Sequence, residues 1–96
     1  MRKLRTLPVE VQYAAAKARH PGRLVLIRVD EFYEAFQKDA ETVASVLGLT
    51  TTYRTKKGDT TAMVGFPHTV LEEYLAKLVE AGHRVALTEL DLITED

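Results

Sequence analysis

The apolar positions along the chain change period several times, and each change marks an element. Val9 to Arg19 is alanine-rich, with Ala14, Ala15 and Ala16 in its middle, and reads as a helix. Pro8 fits the first turn, where its missing N–H would have had no partner. His20-Pro21-Gly22 ends the helix, because a residue before proline avoids helical geometry. Arg23 to Val29 is a nearly unbroken apolar run, the pattern of a strand buried on both faces. Further on, Leu71, Tyr74, Leu75, Leu78 and Val79 fall on one helical face and Glu72, Glu73, Lys77 and Glu80 mostly on the other. That predicts an amphipathic helix from His68/Thr69 to Ala81, stopped by Gly82. Arg84 to Thr88 reads as a last strand, and residues 1–6 and 90–96 are expected to be loose.

Two stretches are less direct. Apolar residues at 32, 33, 36, 40, 43, 44 and 47 fit one helical stripe, yet Phe32 to Phe36 directly follows the strongest strand signal. In extended backbone, residues i and i+2 project to the same side. An extended Phe32-Tyr33-Glu34 would then put the Phe32 ring and the Glu34 carboxylate together, with Tyr33 turned away. An aromatic wedge beside a hydrogen-bonding acid can test how well a base is stacked and paired. The plainer reading puts Phe32, Tyr33 and Phe36 in the core and leaves Glu34 in solvent. The second stretch is threonine-rich. Leu49 to Arg54 and Thr60 to Val64 read as strands of a hairpin around Lys56-Lys57-Gly58-Asp59, closed by Gly65-Phe66-Pro67. The order α-β-(β)-α-β-β-α-β predicts an α/β (α+β) fold, a mixed β-sheet flanked by helices.

Ninety-six residues with 46% apolar content bound this to one small domain, 1–96. There is no apolar run long enough to span a bilayer, and the basic start lacks the apolar region of a signal peptide. The absence of cysteine removes disulfides, thiolate metal sites and thiol nucleophiles, and a cytoplasmic location fits. A net charge of −1 conceals an uneven distribution. Residues 1–57 hold eleven Lys/Arg and six Asp/Glu, whereas residues 58–96 hold two and eight. One basic and one acidic face can result, and any affinity for DNA is expected to be weak and salt-sensitive. No phosphate-binding glycine loop is present, His20, His68 and His83 lack metal-ligand spacing, and Ser45, the only serine, has no glycine elbow. Asp30, Glu31 and Glu34 could attract a cation, but short acidic clusters are usually solvated. No catalytic residue, metal or cofactor is therefore expected.

An ordered set of short motifs gives the chain a resemblance. It runs from Gln12-Tyr13 and His20-Pro21 through Phe32-Tyr33-Glu34, Asp39-Ala40-Glu41 and Leu47-Gly48-Leu49. It continues with Thr55-Lys56-Lys57, Met63-Val64-Gly65-Phe66-Pro67, Tyr74 to Val79, and Gly82-His83-Arg84-Val85-Ala86. Over about residues 9 to 90 the chain resembles the amino-terminal mismatch-recognition domain of the MutS DNA mismatch-repair proteins. The resemblance implies an extended Phe32-Tyr33-Glu34, with the next helix starting near Lys38, burying Ala40, Val43, Ala44 and Leu47, and capped by Gly48. It also implies that Phe32 enters the minor groove and stacks on a mispaired base, and that Glu34 hydrogen-bonds that base. Insertion of this kind kinks the duplex and costs least where pairing is already broken. The resemblance brings Met63 to Pro67, Lys56 and Lys57 to groove-facing and backbone-contacting loops. Lys56, Lys57 and Arg54 are then expected at phosphates, with a plain solvated turn as the competing reading.

Departures from the pattern are Asp30-Glu31, where the family usually has glycine-aspartate, and Pro67-His68, where it has proline-tyrosine. The family's ATPase, connector, lever and clamp have no counterpart in these residues, so the chain alone is not expected to couple mismatch binding to ATP hydrolysis. The first methionine and the acidic end look like a complete small frame, with a fragment of a longer protein as the alternative. Two functions are expected to compete. One is a module that binds mispaired or distorted duplex DNA. The other is a protein-interaction module, an adaptor for other repair proteins, that kept the fold without the DNA role.

Overall fold

The computed structural model describes the backbone of residues 3–90 and 92–95 and the side chains of residues 7–90. A central five-stranded sheet has the order β4-β5-β3-β2-β6. Its strands are β2 (Leu24–Val29), β3 (Phe32–Phe36), β4 (Thr52–Lys56), β5 (Asp59–Pro67) and β6 (Val85–Glu89). The sheet is mixed: β6 runs parallel to β2, and every other pairing is antiparallel. Helix α1 (Val9–Arg19) covers one face, while α2 (Gln37–Leu47) and α3 (Leu71–Glu80) lie against the other.

The apolar run of β2 is the centre of both layers. Val25 and Ile27 point toward α1 with Tyr13, Ala16 and Phe36, and Leu24 and Leu26 point toward α2 and α3 with Ala40, Val43 and Leu78. Val25, Leu26, Ile27, Val43 and Leu78 are fully buried, and each contributes roughly 1.5–3 kcal/mol of hydrophobic stabilisation. Gly48 ends α2 in the left-handed conformation, φ 71°, and its N–H donates to the Ala44 carbonyl.

One buried polar cluster locks α1 in place. The Asp39 carboxylate, in the first turn of α2, accepts from the Tyr13 hydroxyl at 3.0 Å and from Lys17 Nζ at 3.0 Å. It also accepts the backbone N–H of Val25 at 3.1 Å. One side chain therefore ties α1, α2 and β2 together. Burial, reinforced by the bond to Asp39, raises the Tyr13 hydroxyl well above its usual range. Tyr13 is a neutral donor at all ordinary pH.

Several expected boundaries move. β3 is extended, as the resemblance implied, and α2 follows at Gln37 after a kink with φ 54° there. Gly65-Phe66-Pro67 does not close the hairpin but continues β5, because β5 pairs with β3 as well as β4 and Pro67 lies opposite Phe32. β4 starts at Thr52 and includes Lys56, leaving a two-residue turn at Lys57-Gly58. His68–Val70 is a 3₁₀ turn that leads into α3.

At the ends, β1 (Lys3–Thr6) and β7 (Leu92–Glu95) form a separate antiparallel pair, from Lys3 opposite Glu95 to Thr6 opposite Leu92. Leu90 packs on the α1-side core. Residues 1, 2, 91 and 96 lie outside the described residues. Among the described residues, no helix is long and apolar enough to cross a membrane.

Candidate nucleic-acid interface

Among the described residues, helix α1 packs on β2 and β3 and leaves most of the β5–β4 part of its sheet face uncovered. Strand register decides what stands there. Directly opposed residues share a face, and so do alternate residues along a strand. Phe32 lies opposite Pro67, Glu34 opposite Gly65, and Phe36 opposite Met63. On the next pair, Arg54 lies opposite Thr61 and Lys56 opposite Asp59. Phe32, Glu34, Met63, Pro67, Arg54 and Lys56 therefore occupy the same face as α1. Six of the seven residues singled out in the sequence come together this way. The seventh, Lys57, sits in the turn beyond Lys56.

Part of this face is a groove of about 260 Å³, walled by Val9 and Glu10 of α1 and lined by Glu34, Arg54, Lys56 and Met63. Glu10 was not singled out by sequence reasoning. An acid in a first helical turn is ordinary there, and nothing local connects residue 10 with residue 34.

The aromatic cluster divides between two roles. Phe36 is buried against Tyr13, and half-buried Tyr33 stacks on Phe66 at 6.1 Å on the opposite face. Phe32 is different: it stays 47% exposed at the open end of β3. The core reading thus holds for Tyr33 and Phe36 and fails for Phe32. Glu34 is not simply solvated either. It is half-buried, and its Cγ lies 3.5 Å from the position a Cβ would take on Gly65, so glycine opposite leaves room for the acid. Desolvation raises the Glu34 carboxyl above 4.5; the Arg54 charge opposes this, and Glu10 and Asp30 add to it.

The Phe32 ring is presented by a two-residue turn, Asp30-Glu31, between the paired residues Val29 and Phe32. Asp30 takes φ 51° there, left-handed backbone that a side chain disfavours. The Glu31 carbonyl accepts the His68 N–H at 2.8 Å, and the Glu31 carboxylate pairs with the His68 ring at 3.1 Å. The turn is thereby fastened to the end of β5. Asp30→Gly is expected to stabilise the fold by about 0.5 kcal/mol, read as a rise of about 2–4 °C in thermal melting.

The hairpin tip has a similar backbone. Lys57 at φ 52° and Gly58 at φ 83° make a turn with both central residues left-handed, the geometry matched to strand twist. The Thr55 and Thr60 hydroxyls share a hydrogen bond at 3.1 Å beside it. Arg54, Lys56 and Lys57 are all exposed, and no side-chain ion pair engages them among the described residues.

The family model described as MutS domain I matches residues 7–91. The chain is 45% identical over 83 residues to the DNA mismatch repair protein MutS of Salinibacter ruber, covering 85% of this chain and 9% of that protein. It is 47% identical over 79 residues to the protein of the same description from Cytophaga hutchinsonii, covering 81% and 9%. With that of Parabacteroides distasonis it shares 43% identity over 90 residues, covering 93% and 10%. The chain thus spans about a tenth of the length of these relatives.

Proposed function

This chain belongs to the MutS domain I family, and from that premise we propose that it is a DNA-binding module that senses mispaired or distorted duplex steps through Phe32 and Glu34. The observation that carries this reading is the exposed Phe32 ring, on one sheet face with a half-buried carboxylate two residues on. The relatives are named for DNA mismatch repair, which supplies the ligand class.

Phe32 acts as an apolar wedge from the minor groove. Such wedges unstack one step and bend the duplex, at a cost of a few kilocalories that a mispair has already partly met. Glu34 faces the displaced base. Its desolvated carboxyl is a poor partner for phosphate and a good one for a base edge, so it gives selectivity rather than bulk affinity. Arg54, Lys56 and Lys57 contact phosphates, and Met63 and Pro67 form the apolar flank on which the backbone rests.

Two substitutions in this face separate its roles. Lys56→Ala combined with Lys57→Asn is expected to weaken matched and mismatched duplexes equally and to lower the slope of log affinity against log salt by about 2. Asparagine is chosen at 57 because it tolerates φ 52°.

Glu34 gives a pH dependence with a definite sign. Its pKa in the fold lies above 4.5. The stability its protonated form contributes is complete below that value and lost as pH rises through the folded pKa. Phosphates nearby push the carboxyl further in the same direction. Duplex affinity is therefore expected to fall as pH rises through this region. Glu34→Gln should flatten the profile and bind matched duplex about threefold more tightly at neutral pH.

The site itself is tested by chemical-shift mapping. A duplex with one mismatch should move the amides of residues 32–34, 54–58 and 63–66 and leave α3 unmoved. Shifts confined to α3 and β6 would sink the reading.

A further inference from the structure

Arg23 and Arg84 stand side by side at the end of the sheet remote from Phe32. Each immediately precedes a strand, and those strands, β2 and β6, run parallel with Leu24 opposite Val85. The Leu24 N–H donates to the Arg84 carbonyl at 2.8 Å, which closes the ladder at this point. One step back along the register sets Arg23 beside Arg84, about 5 Å apart at the backbone. Both line a concavity of about 310 Å³ with Lys17, Gly22, Gly82 and His83.

The local charges are not balanced from within. Lys17 is engaged: its ammonium lies on Asp39 and donates to the Arg23 carbonyl at 2.6 Å. Among the described residues, neither the Arg23 nor the Arg84 guanidinium has a hydrogen-bond or ion-pair partner. The carboxyl ends of α1 and α3 lie nearby, and their partial negative charge draws in cations. They supply no oxygen to either guanidinium fork. Both arginines are exposed and line the same concavity, so one anion there has two permanently charged donors beside it.

We propose that this concavity is a phosphate-binding site. A guanidinium fork binds two oxygens at once. One fork satisfies a carboxylate, whereas a tetrahedral phosphate presents enough oxygens for two forks on different sides. Gly22 and Gly82 have open space where side chains would stand, so the rims admit something larger than the anion, such as an ester. The phosphate can belong to a free ester or to a nucleic-acid backbone. The six residues of β2 separate the site from Phe32 by about 20 Å. It is therefore a second contact, independent of the wedge.

The test is an NMR titration of the full ¹⁵N-labelled chain with inorganic phosphate, at ionic strength held constant with chloride. Saturable shifts are expected at the amides of Gly22, Arg23, Gly82 and Arg84. Arg23→Gln and Arg84→Gln should each weaken binding about tenfold while the rest of the spectrum stays in place. Phe32→Ala should leave the phosphate response intact, so loss of mismatch sensing and loss of this site are distinguishable. A short matched duplex distinguishes the sources. Saturation of the same amides by duplex identifies a backbone phosphate, and response to inorganic phosphate alone identifies a free ester. A linear response equal to that of chloride, unchanged affinity in both glutamine variants, or equal competition by a glutamate peptide would overturn the proposal.

Discussion

Asp39→Ala is expected to lower the free energy of unfolding by about 3 kcal/mol. Asp39 is 5% exposed, and its carboxylate serves three donors on two elements, α1 and β2. Removing it leaves the Tyr13 hydroxyl and the Val25 N–H buried without an acceptor, at roughly 1–3 kcal/mol each. Lys17 adds less, because its side chain is 31% exposed and water can replace the lost partner. Asp39→Asn keeps the shape and one carbonyl oxygen, so it should cost about half as much. Tyr13→Phe should cost about 1 kcal/mol. A loss of this size is a large share of the 5–15 kcal/mol typical of small domains. Urea denaturation at neutral pH measures all three, and a loss under about 1 kcal/mol for Asp39→Ala would remove this cluster from the account of the fold. The consequence reaches the candidate interface, because Asp39 holds the helix whose Val9 and Glu10 form the groove wall.

Phe32→Ala is expected to abolish discrimination between mismatched and matched duplex while leaving the fold almost unchanged. The ring is 47% exposed, so truncation removes little buried area and should cost under about 1 kcal/mol of stability. Its effect on binding is of another order. Stacking of one base on an aromatic ring contributes about 1–3 kcal/mol, a factor of roughly 5- to 150-fold in affinity. That contribution is realised only where a base step opens at low cost. Affinity for a mismatched duplex should thus fall to the matched value, and matched affinity should hardly move. Phe32→Leu separates apolar filling from stacking: it should retain a part of the preference, since leucine can wedge but presents no π-face.

The periodic elements were legible in the sequence because their burial is one-sided or complete. α3 has one apolar face, and β2 is covered on both. β3 was not legible from periodicity. Helices lie on both sides of the sheet, so Ala35 and Phe36 are each buried, on opposite faces, and the alternation of a half-buried strand disappears. The family resemblance resolved that stretch where the pattern could not. Asp39 illustrates another limit. Its donors come from residues 13, 17 and 25, and no local pattern encodes an acceptor for groups so distant in sequence. The β1–β7 pairing is still more remote, joining Lys3 to Glu95. At the candidate interface, the residue types were legible through the resemblance, but their convergence was not. Register places Arg54 and Glu34 on one face, and that register depends on β5 continuing through Pro67. Positive φ at Lys57 was equally hidden, because Gly58 alone accounts for a turn at that place in the sequence.

The departures from the family pattern acquire a physical meaning in the structure. Asp30 occupies a left-handed position where glycine is unstrained. Glu31 and His68, the other two departures, pair with each other across the turn. The acidic turn adds charge beside Glu34, while the pairing fixes the turn that carries Phe32.

The proposed function stands or falls with Phe32 as a wedge that reads mispaired steps. Its most direct test is a fluorescence-anisotropy titration of a labelled duplex with one G·T mismatch or one unpaired T against its matched control, at low and moderate salt, with Phe32→Ala in parallel. The account predicts a preference for the mismatched duplex that survives added salt and vanishes in Phe32→Ala. Equal affinity for both duplexes in the native chain, or a preference that Phe32→Ala leaves intact, would contradict it and return the chain to the protein-interaction reading.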